Sequence, residues 1–173
     1  MNTANKNLST SGSGLRAVFP GTFDPITNGH IDLILRGLSI FDQIIVGVLD
    51  NPEKKNIFTV EERLHLIKAE FKDYGQRVIA ASFSGLLVEF VNKMQGRAII
   101  RGLRAISDYD YEAQMAIMNK NLDESIETFF MMSSEKNSYI SSSLVRQIAQ
   151  FGGAVTKLVT PNVENAIKAK FKK

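Results

Sequence analysis

Four short stretches of this 173-residue chain carry the residues with the most chemistry to offer. The first is Pro20-Gly21-Thr22-Phe23-Asp24-Pro25-Ile26-Thr27-Asn28-Gly29-His30. Two prolines and two glycines make it a rigid, tightly turned loop. Thr27 or Asn28 is suited to cap a following helix. His30 then falls in the first turn, beside unpaired backbone N–H groups and the positive end of the dipole, which is a place for phosphate. A cationic His is locally disfavoured there, so a function should justify it. The second stretch is Pro52-Glu53-Lys54-Lys55. The third is Ile100-Arg101-Gly102-Leu103-Arg104-Ala105, followed by Asp108-Tyr109-Asp110-Tyr111-Glu112. Two arginines three apart are costly as core residues. The fourth is Ser141-Ser142-Ser143, which open a helix with three hydroxyls and free N–H groups, a second phosphate cradle. Taken singly, each has a plainer reading: a helix cap, a surface salt bridge, a packed Phe23 ring, or an ordinary helix charge at Glu112.

The chain contains no Cys, and its only histidines are His30 and His65. This excludes a thiolate nucleophile, an iron–sulfur cluster, a disulfide framework and a Cys-built zinc site. Two histidines do not make a His-rich metal cage. Absence of Cys fits a reducing cytosol. His65 lies away from every motif and reads as structural.

Around these stretches, β-rich runs alternate with helical patterns. Strands are expected at Leu15–Pro20, Gln43–Leu49, Val78–Ser82, Ala98–Arg101 and Glu127–Met132. The run Ile44-Ile45-Val46-Gly47-Val48-Leu49 is apolar on both faces, as a sandwiched parallel strand should be. Helical stripes lie between them: Ile31, Ile34, Leu35 and Leu38; Val60, Leu64, Ile67 and Phe71 behind the capping box Thr59-x-x-Glu62; Leu87, Phe90, Val91 and Met94; Tyr111, Met115, Met118 and Leu122. The last stripe is expected in the core or at a subunit contact. Two closing helices run from Ser141 to Phe151, stopped by Gly152-Gly153, and from Thr160-Pro161 onward. The pattern predicts an α/β fold with an open five-stranded parallel sheet and helices on both faces. Ligands of such sheets bind beyond the carboxyl ends of the strands, where the four stretches lie.

The composition, 44% hydrophobic and 23% charged, is that of an ordinary globular protein with room for one core. No uncharged apolar run approaches the roughly 18 residues of a membrane span. Met1–Gly14 is polar and lacks the apolar core of a signal peptide. It reads as a disordered tail or one added in cloning, leaving one domain over 15–173. Its Gly12-x-Gly14-x-x-Ala17 fits a loose dinucleotide fingerprint, but no strand precedes it and no helix follows. Lys plus Arg is 21 against 18 for Asp plus Glu, and Glu164–Lys173 alone carries the net +3. The basic balance therefore belongs to the C-terminal tail, and no interleaved aromatics support a nucleic-acid surface.

The segment Thr22-Phe23-Asp24-Pro25-x-x-x-Gly29-His30 resembles the T/HxGH-bearing loop of class I nucleotidyltransferases. Tyr139-Ile140-Ser141-Ser142-Ser143-Leu144-Val145-Arg146 resembles their ISSTxxR segment, with Ser143 keeping the hydroxyl where Thr is usual. With the Arg101–Ala105, Asp108–Glu112 and Pro52–Lys55 stretches added, the match narrows to the bacterial phosphopantetheine adenylyltransferases. It covers Leu15 to about Phe171, with four motifs in order and at matching spacing.

The resemblance implies a Rossmann-like fold of nucleotidyltransferase type. It implies reversible transfer of the adenylyl group of ATP to 4′-phosphopantetheine, giving dephospho-coenzyme A and pyrophosphate by direct in-line attack without a covalent enzyme intermediate. Two polyanions must be aligned, so the site needs cations and fixed donors rather than a nucleophilic side chain. His30, Thr22, Lys54 and Arg101 are the implied catalytic residues. Thr22, Phe23, His30, Gly102, Leu103, Arg104, Glu112, Asn137, Ser138, Tyr139, Ile140, Ser141, Ser142 and Ser143 would hold ATP, with Gly102 letting the backbone approach the nucleotide. Thr22, Lys54, Leu86, Leu87 and Arg101 would hold phosphopantetheine. Glu53 and Lys55 read as solvated loop charges, and Arg146 as a support of the serine loop or a phosphate contact. Mg²⁺ is implied, carried on substrate phosphates without dedicated protein ligands. A homohexamer, inhibition by coenzyme A and a cytoplasmic setting are further expectations. Another nucleotidyltransferase of the same fold, using CTP or a different phosphate acceptor, and a non-catalytic nucleotide or coenzyme A sensor are the alternatives.

Overall fold

A computed structural model describes residues 14–171 apart from 52 and 54. Five strands, β1 (Arg16–Gly21), β2 (Gln43–Leu49), β3 (Val78–Phe83), β4 (Ala98–Leu103) and β5 (Glu127–Met132), form one parallel sheet in the order β3-β2-β1-β4-β5. Among the described residues the α-helices are α1 (Asn28–Gly37), α2 (Val60–Glu70), α3 (Leu87–Lys93), α4 (Ile106–Leu122), α5 (Ser142–Gln150) and α6 (Pro161–Phe171). The expected strands are all present, with β3 and β4 one and two residues longer and β1 shifted by one.

Both faces of the sheet are covered, as an all-parallel sheet requires. Ala17, Phe19, Ile44, Val46 and Ile100 point to one face and pack with Leu33 and Ile34 of α1, Ile67 of α2, Val145 of α5 and Val163 of α6. Val18, Ile45 and Ile99 point to the other and meet Val88, Phe90 and Val91 of α3. Among the described residues no helix is long and apolar enough to cross a membrane.

The strand order reverses at β1, and the pairing there is uneven. β1 is in register with β2 from Arg16↔Gln43 to Gly21↔Val48, but with β4 only at Ala17↔Ala98 and Val18↔Ile99. Beyond Val18 the two strands part, and their carboxyl ends open a crevice at the switch point.

Two expected stripes are corrected. On α1, Leu33, Ile34 and Leu38 are buried while Leu35 is exposed. The helix face turns because Leu33 packs over Gly102 of β4, where a Cβ would collide with its Cδ1. On α4, Tyr111, Met115, Met118 and Leu122 are exposed, so of the two expectations for that stripe the core is corrected and the subunit contact is not. That stripe faces the crevice.

Candidate active site

The loop after β1 is built before any ligand arrives. Phe23 sits at φ 50°, a left-handed backbone that costs a bulky residue roughly 1–3 kcal/mol and needs support from its surroundings. The support is specific. Asp24, 0% exposed, accepts the backbone N–H groups of Ile57 and Phe58 at 2.9 Å each. Arg146 donates to the Asp24 carbonyl at 2.6 Å. Arg63 donates to the Thr22 carbonyl at 2.8 Å.

Thr27 caps α1 and closes a capping box with His30. The Thr27 hydroxyl accepts the His30 N–H at 3.4 Å, and the Thr27 N–H donates to His30 Nδ1 at 3.1 Å. With Nδ1 an acceptor, the neutral ring carries its proton on Nε2. The ring packs edge-on against Phe23, 5.0 Å between centroids, and against Phe19. Burial, helped by the charge of Arg104, pushes the His30 pKa down to about 4. At neutral pH His30 is therefore an uncharged donor. This resolves the conflict with the helix dipole expected from the sequence.

The end of β4 is arranged differently. Arg101 grips Glu112 of α4 with a two-pronged contact, Nε and Nη2 each 2.6 Å from a carboxylate oxygen, and its Nη1 donates to the Pro20 carbonyl at 3.1 Å. Arg104 pairs with Asp108 at 3.1 Å. Two groups expected to serve different substrates, Arg101 and Glu112, are thus bound to each other.

At the start of α5, Ser141 is the cap and accepts the Leu144 N–H at 3.1 Å. The Ser142 hydroxyl donates to the Pro25 carbonyl at 2.8 Å and ties the two phosphate-type loops together. Ser141 and Ser143 share a hydroxyl contact of 3.0 Å. The hydroxyls are thus largely committed within the protein. The Ser142 and Ser143 N–H groups in the first turn of α5 are the donors left for a ligand.

These parts surround a cleft of about 620 Å³. Thr22, Phe23, His30, Arg101, Gly102, Arg104, Glu112, Asn137, Ile140, Ser141 and Ser142 line it. So do the apolar side chains of Leu86, Leu87, Phe83, Met115, Met118 and Leu122. A side recess of about 480 Å³ is lined by Thr22, Phe23, His30, Lys55, Asn56, Ser142, Ser143 and Arg146. Most of the residues singled out from the sequence converge here.

Some do not. Lys54 lies outside the described residues, as do Met1–Ser13. The Leu103 side chain is buried. Ser138 donates to the Glu135 carbonyl, Tyr139 is exposed, and neither lines the cleft or the recess. Gly102 borders the cleft, but the space of its missing side chain is taken by Leu33. Arg146 supports the first loop through Asp24 rather than the serine loop. Lys55 is exposed, as a loop charge should be, and borders the recess. His65 is exposed on α2 and lines neither cavity. Sequence reasoning missed Asp24 and Arg63 as supports and the α4 stripe as a cleft wall. Asp24 stood within the first motif without a role, and Arg63 left a trace as a cation directly after the Thr59–Glu62 capping box on a helix facing the core.

The cytidylyltransferase-like family matches residues 18–148, which include both loops and the cleft. A bifunctional NMN adenylyltransferase/ADP ribose pyrophosphatase of Francisella tularensis shares the fold, with a TM-score of 0.67 at 16% identity over 91% of this chain and 50% of that one. The fold and the site thus define a nucleotidyltransferase. Phosphopantetheine adenylyltransferases narrow this further: that of Clostridium kluyveri is 54% identical over 91% of this chain and 96% of its own length. That of Thermodesulfovibrio yellowstonii is 54% identical over 90% and 97%. The chain belongs to the phosphopantetheine adenylyltransferase family and is an enzyme of that nucleotidyltransferase type.

Proposed function

We propose that the enzyme transfers the adenylyl group of ATP to 4′-phosphopantetheine, giving dephospho-coenzyme A and pyrophosphate. The observation that carries this is the mixed lining of the cleft. Donors and cations, among them His30, Arg101 and Arg104, share its wall with the apolar side chains of Leu86, Leu87, Met115 and Met118. The polar groups suit a nucleotide with a charged acceptor phosphate, and the apolar ones suit a long, flexible thiol arm.

In this reading the acceptor phosphate attacks the α-phosphorus of ATP in line and the pyrophosphate leaves. One phosphoanhydride is broken and one is formed, so the reaction is close to balanced and reversible. His30 donates its Nε2 proton in a hydrogen bond to the phosphates as charge moves toward the leaving group. The Thr22 hydroxyl and the Phe23 N–H face the meeting point of the two substrates. Arg101 exchanges the Glu112 carboxylate for the acceptor phosphate, which its planar fork can grip in the same way. Lys54 is the proposed point charge for the attacking phosphate. Arg104, Glu112 and the segment Asn137–Ser143 hold the nucleotide.

The Francisella structure of the same fold holds AMP and manganese, and Mg²⁺ is proposed here. Among the described residues no three His, Cys, Asp or Glu side chains gather to make a metal cage. The ion would ride on substrate phosphates, where it neutralises charge. Coenzyme A, which carries the pantetheine arm, would compete for the same cleft. A homohexamer and a cytoplasmic setting complete the proposal.

The test is pyrophosphate release from ATP, Mg²⁺ and 4′-phosphopantetheine, with each component omitted in turn and CTP substituted for ATP. Release that needs all components and yields dephospho-coenzyme A is the expected result. Release with CTP alone would move the substrate assignment, and binding without release would make the protein a sensor.

A further inference from the structure

The proposed reaction uses no residue of α2, yet α2 sends the most buried cation of the described chain to the floor of the site. Arg63 is 2% exposed. No carboxylate lies within ion-pair distance of it among the described residues. A buried guanidinium without a counter-charge is costly unless its donors are well used. All of its protein partners are backbone carbonyls: Nε donates to Thr59 at 3.3 Å, and Nη1 to Thr22 at 2.8 Å and Leu49 at 3.1 Å. Thr59 is the cap of α2, Leu49 ends β2, and Thr22 follows β1. Three carbonyls from three elements at one guanidinium exceed what anchoring a helix requires.

The Thr22 carbonyl is the informative one. It belongs to the same planar unit as the Phe23 N–H, and in a trans peptide the two point opposite ways. Drawing the carbonyl inward to Arg63 turns that N–H outward, on the side of the cleft that Thr22 and Phe23 line. The Phe23 N–H makes no hydrogen bond among the described residues. Phe23 also holds the left-handed backbone at φ 50° that this orientation demands. Relaxation to an ordinary backbone would rotate the peptide and withdraw the donor.

We propose that Arg63 is a positioning residue that locks the Thr22–Phe23 peptide so that the Phe23 N–H stands ready for a non-bridging oxygen of the nucleotide α-phosphoryl group. The inference rests on the proposed adenylyl transfer. Its buried charge also sets a positive potential directly beneath the reacting phosphates without meeting them. Arg101 and Arg104 then need only align the substrates.

The test uses ATP carrying one sulfur in place of either α non-bridging oxygen, as the separate Sp and Rp diastereomers, with one divalent ion throughout. A fixed donor at the α-phosphoryl group makes the enzyme prefer one diastereomer. The ratio of the two kcat/KM values does not depend on how much enzyme is folded, so a purely structural role of Arg63 leaves it unchanged. R63K keeps the charge but cannot serve three carbonyls in one plane. It should lower kcat with ATP about ten-fold, part of the 10²–10³ that losing one preorganised donor costs. It should also collapse the diastereomer preference several-fold. R63Q, neutral and of similar length, serves as the second variant. A wild type that takes both diastereomers equally overturns the proposal without any variant, and so does R63K or R63Q with the wild-type ratio. Absence of pyrophosphate release by the wild type with ATP itself would remove the activity along with this inference. An unchanged ratio in an active enzyme removes the inference alone.

Discussion

The loop after β1 and the segment after β4 stand on opposite sides of the same crevice, and both offer donors to anions, but they are held in different ways. The first is tied from beneath by partners that no ligand has to displace. Asp24 holds Ile57 and Phe58, Arg63 and Arg146 hold the carbonyls on either side of Phe23, and Thr27 holds His30. The second is tied across its own face. Arg101 and Arg104 are occupied by Glu112 and Asp108, carboxylates of the helix that follows. A phosphate arriving at the first loop finds a finished set of neutral donors. At the second it has to exchange with a carboxylate of similar shape and charge. For the proposed reaction the difference assigns labour. Donors in place before binding cost no reorganisation when charge moves, so they act on kcat. Cations that must change partners act on affinity.

The sharpest break of that contrast is H30A. Loss of one preorganised donor should lower kcat by roughly 10²–10³ while the KM for ATP moves only a few-fold. Steady-state pyrophosphate release checks both, and a kcat within a few-fold of normal would remove His30 from the chemistry. On the other side, R101A should raise the KM for phosphopantetheine about 10- to 100-fold, the scale of lost charge-assisted hydrogen bonds. Its kcat should fall much less. An effect confined to ATP would reverse the assignment of the two arginines.

E112Q sharpens the contrast rather than breaking it. Taking the charge from Glu112 weakens its hold on Arg101, so the KM for phosphopantetheine should fall about three-fold, within the range of a partly exposed ion pair. A rise instead would show that Glu112 orients Arg101 for the acceptor rather than competing with it. The smallest effect is on stability. His30 titrates near 4 in the fold against 6.5 ordinarily, so the fold favours its neutral form. Its contribution is complete above pH 6.5 and is lost as pH falls toward 4. The unfolding midpoint of the wild type should therefore drop a few degrees more than that of H30N between neutral pH and about pH 4.5. Parallel curves would mean that His30 is solvated.

Much of the frame is readable from local pattern. The strand Gln43–Leu49 has the same bounds in the structure as in the sequence reading, because a run apolar on both faces fits only a sheet covered on both sides. The Thr59–Glu62 capping box forms as written, since its two hydrogen bonds join residues three apart. The Leu35 position of the α1 stripe and the core reading of the α4 stripe failed for one reason. Periodicity marks a helix face as apolar but does not say what lies opposite it. Opposite the α4 stripe lies a cleft, and opposite Leu33 lies the bare backbone of Gly102.

The residue types, their order and the turns between them thus determined a parallel α/β sheet with two phosphate-type loops at its carboxyl edge, because those features arise among near neighbours along the chain. Tertiary structure alone decided which charges are spent. Arg101 is bound to Glu112, Asp24 to amides 33 and 34 residues further on, and Arg63 to a carbonyl 41 residues back. The free energy of a buried charge depends on what meets it across the fold, and segments that distant are brought together only when the sheet has formed.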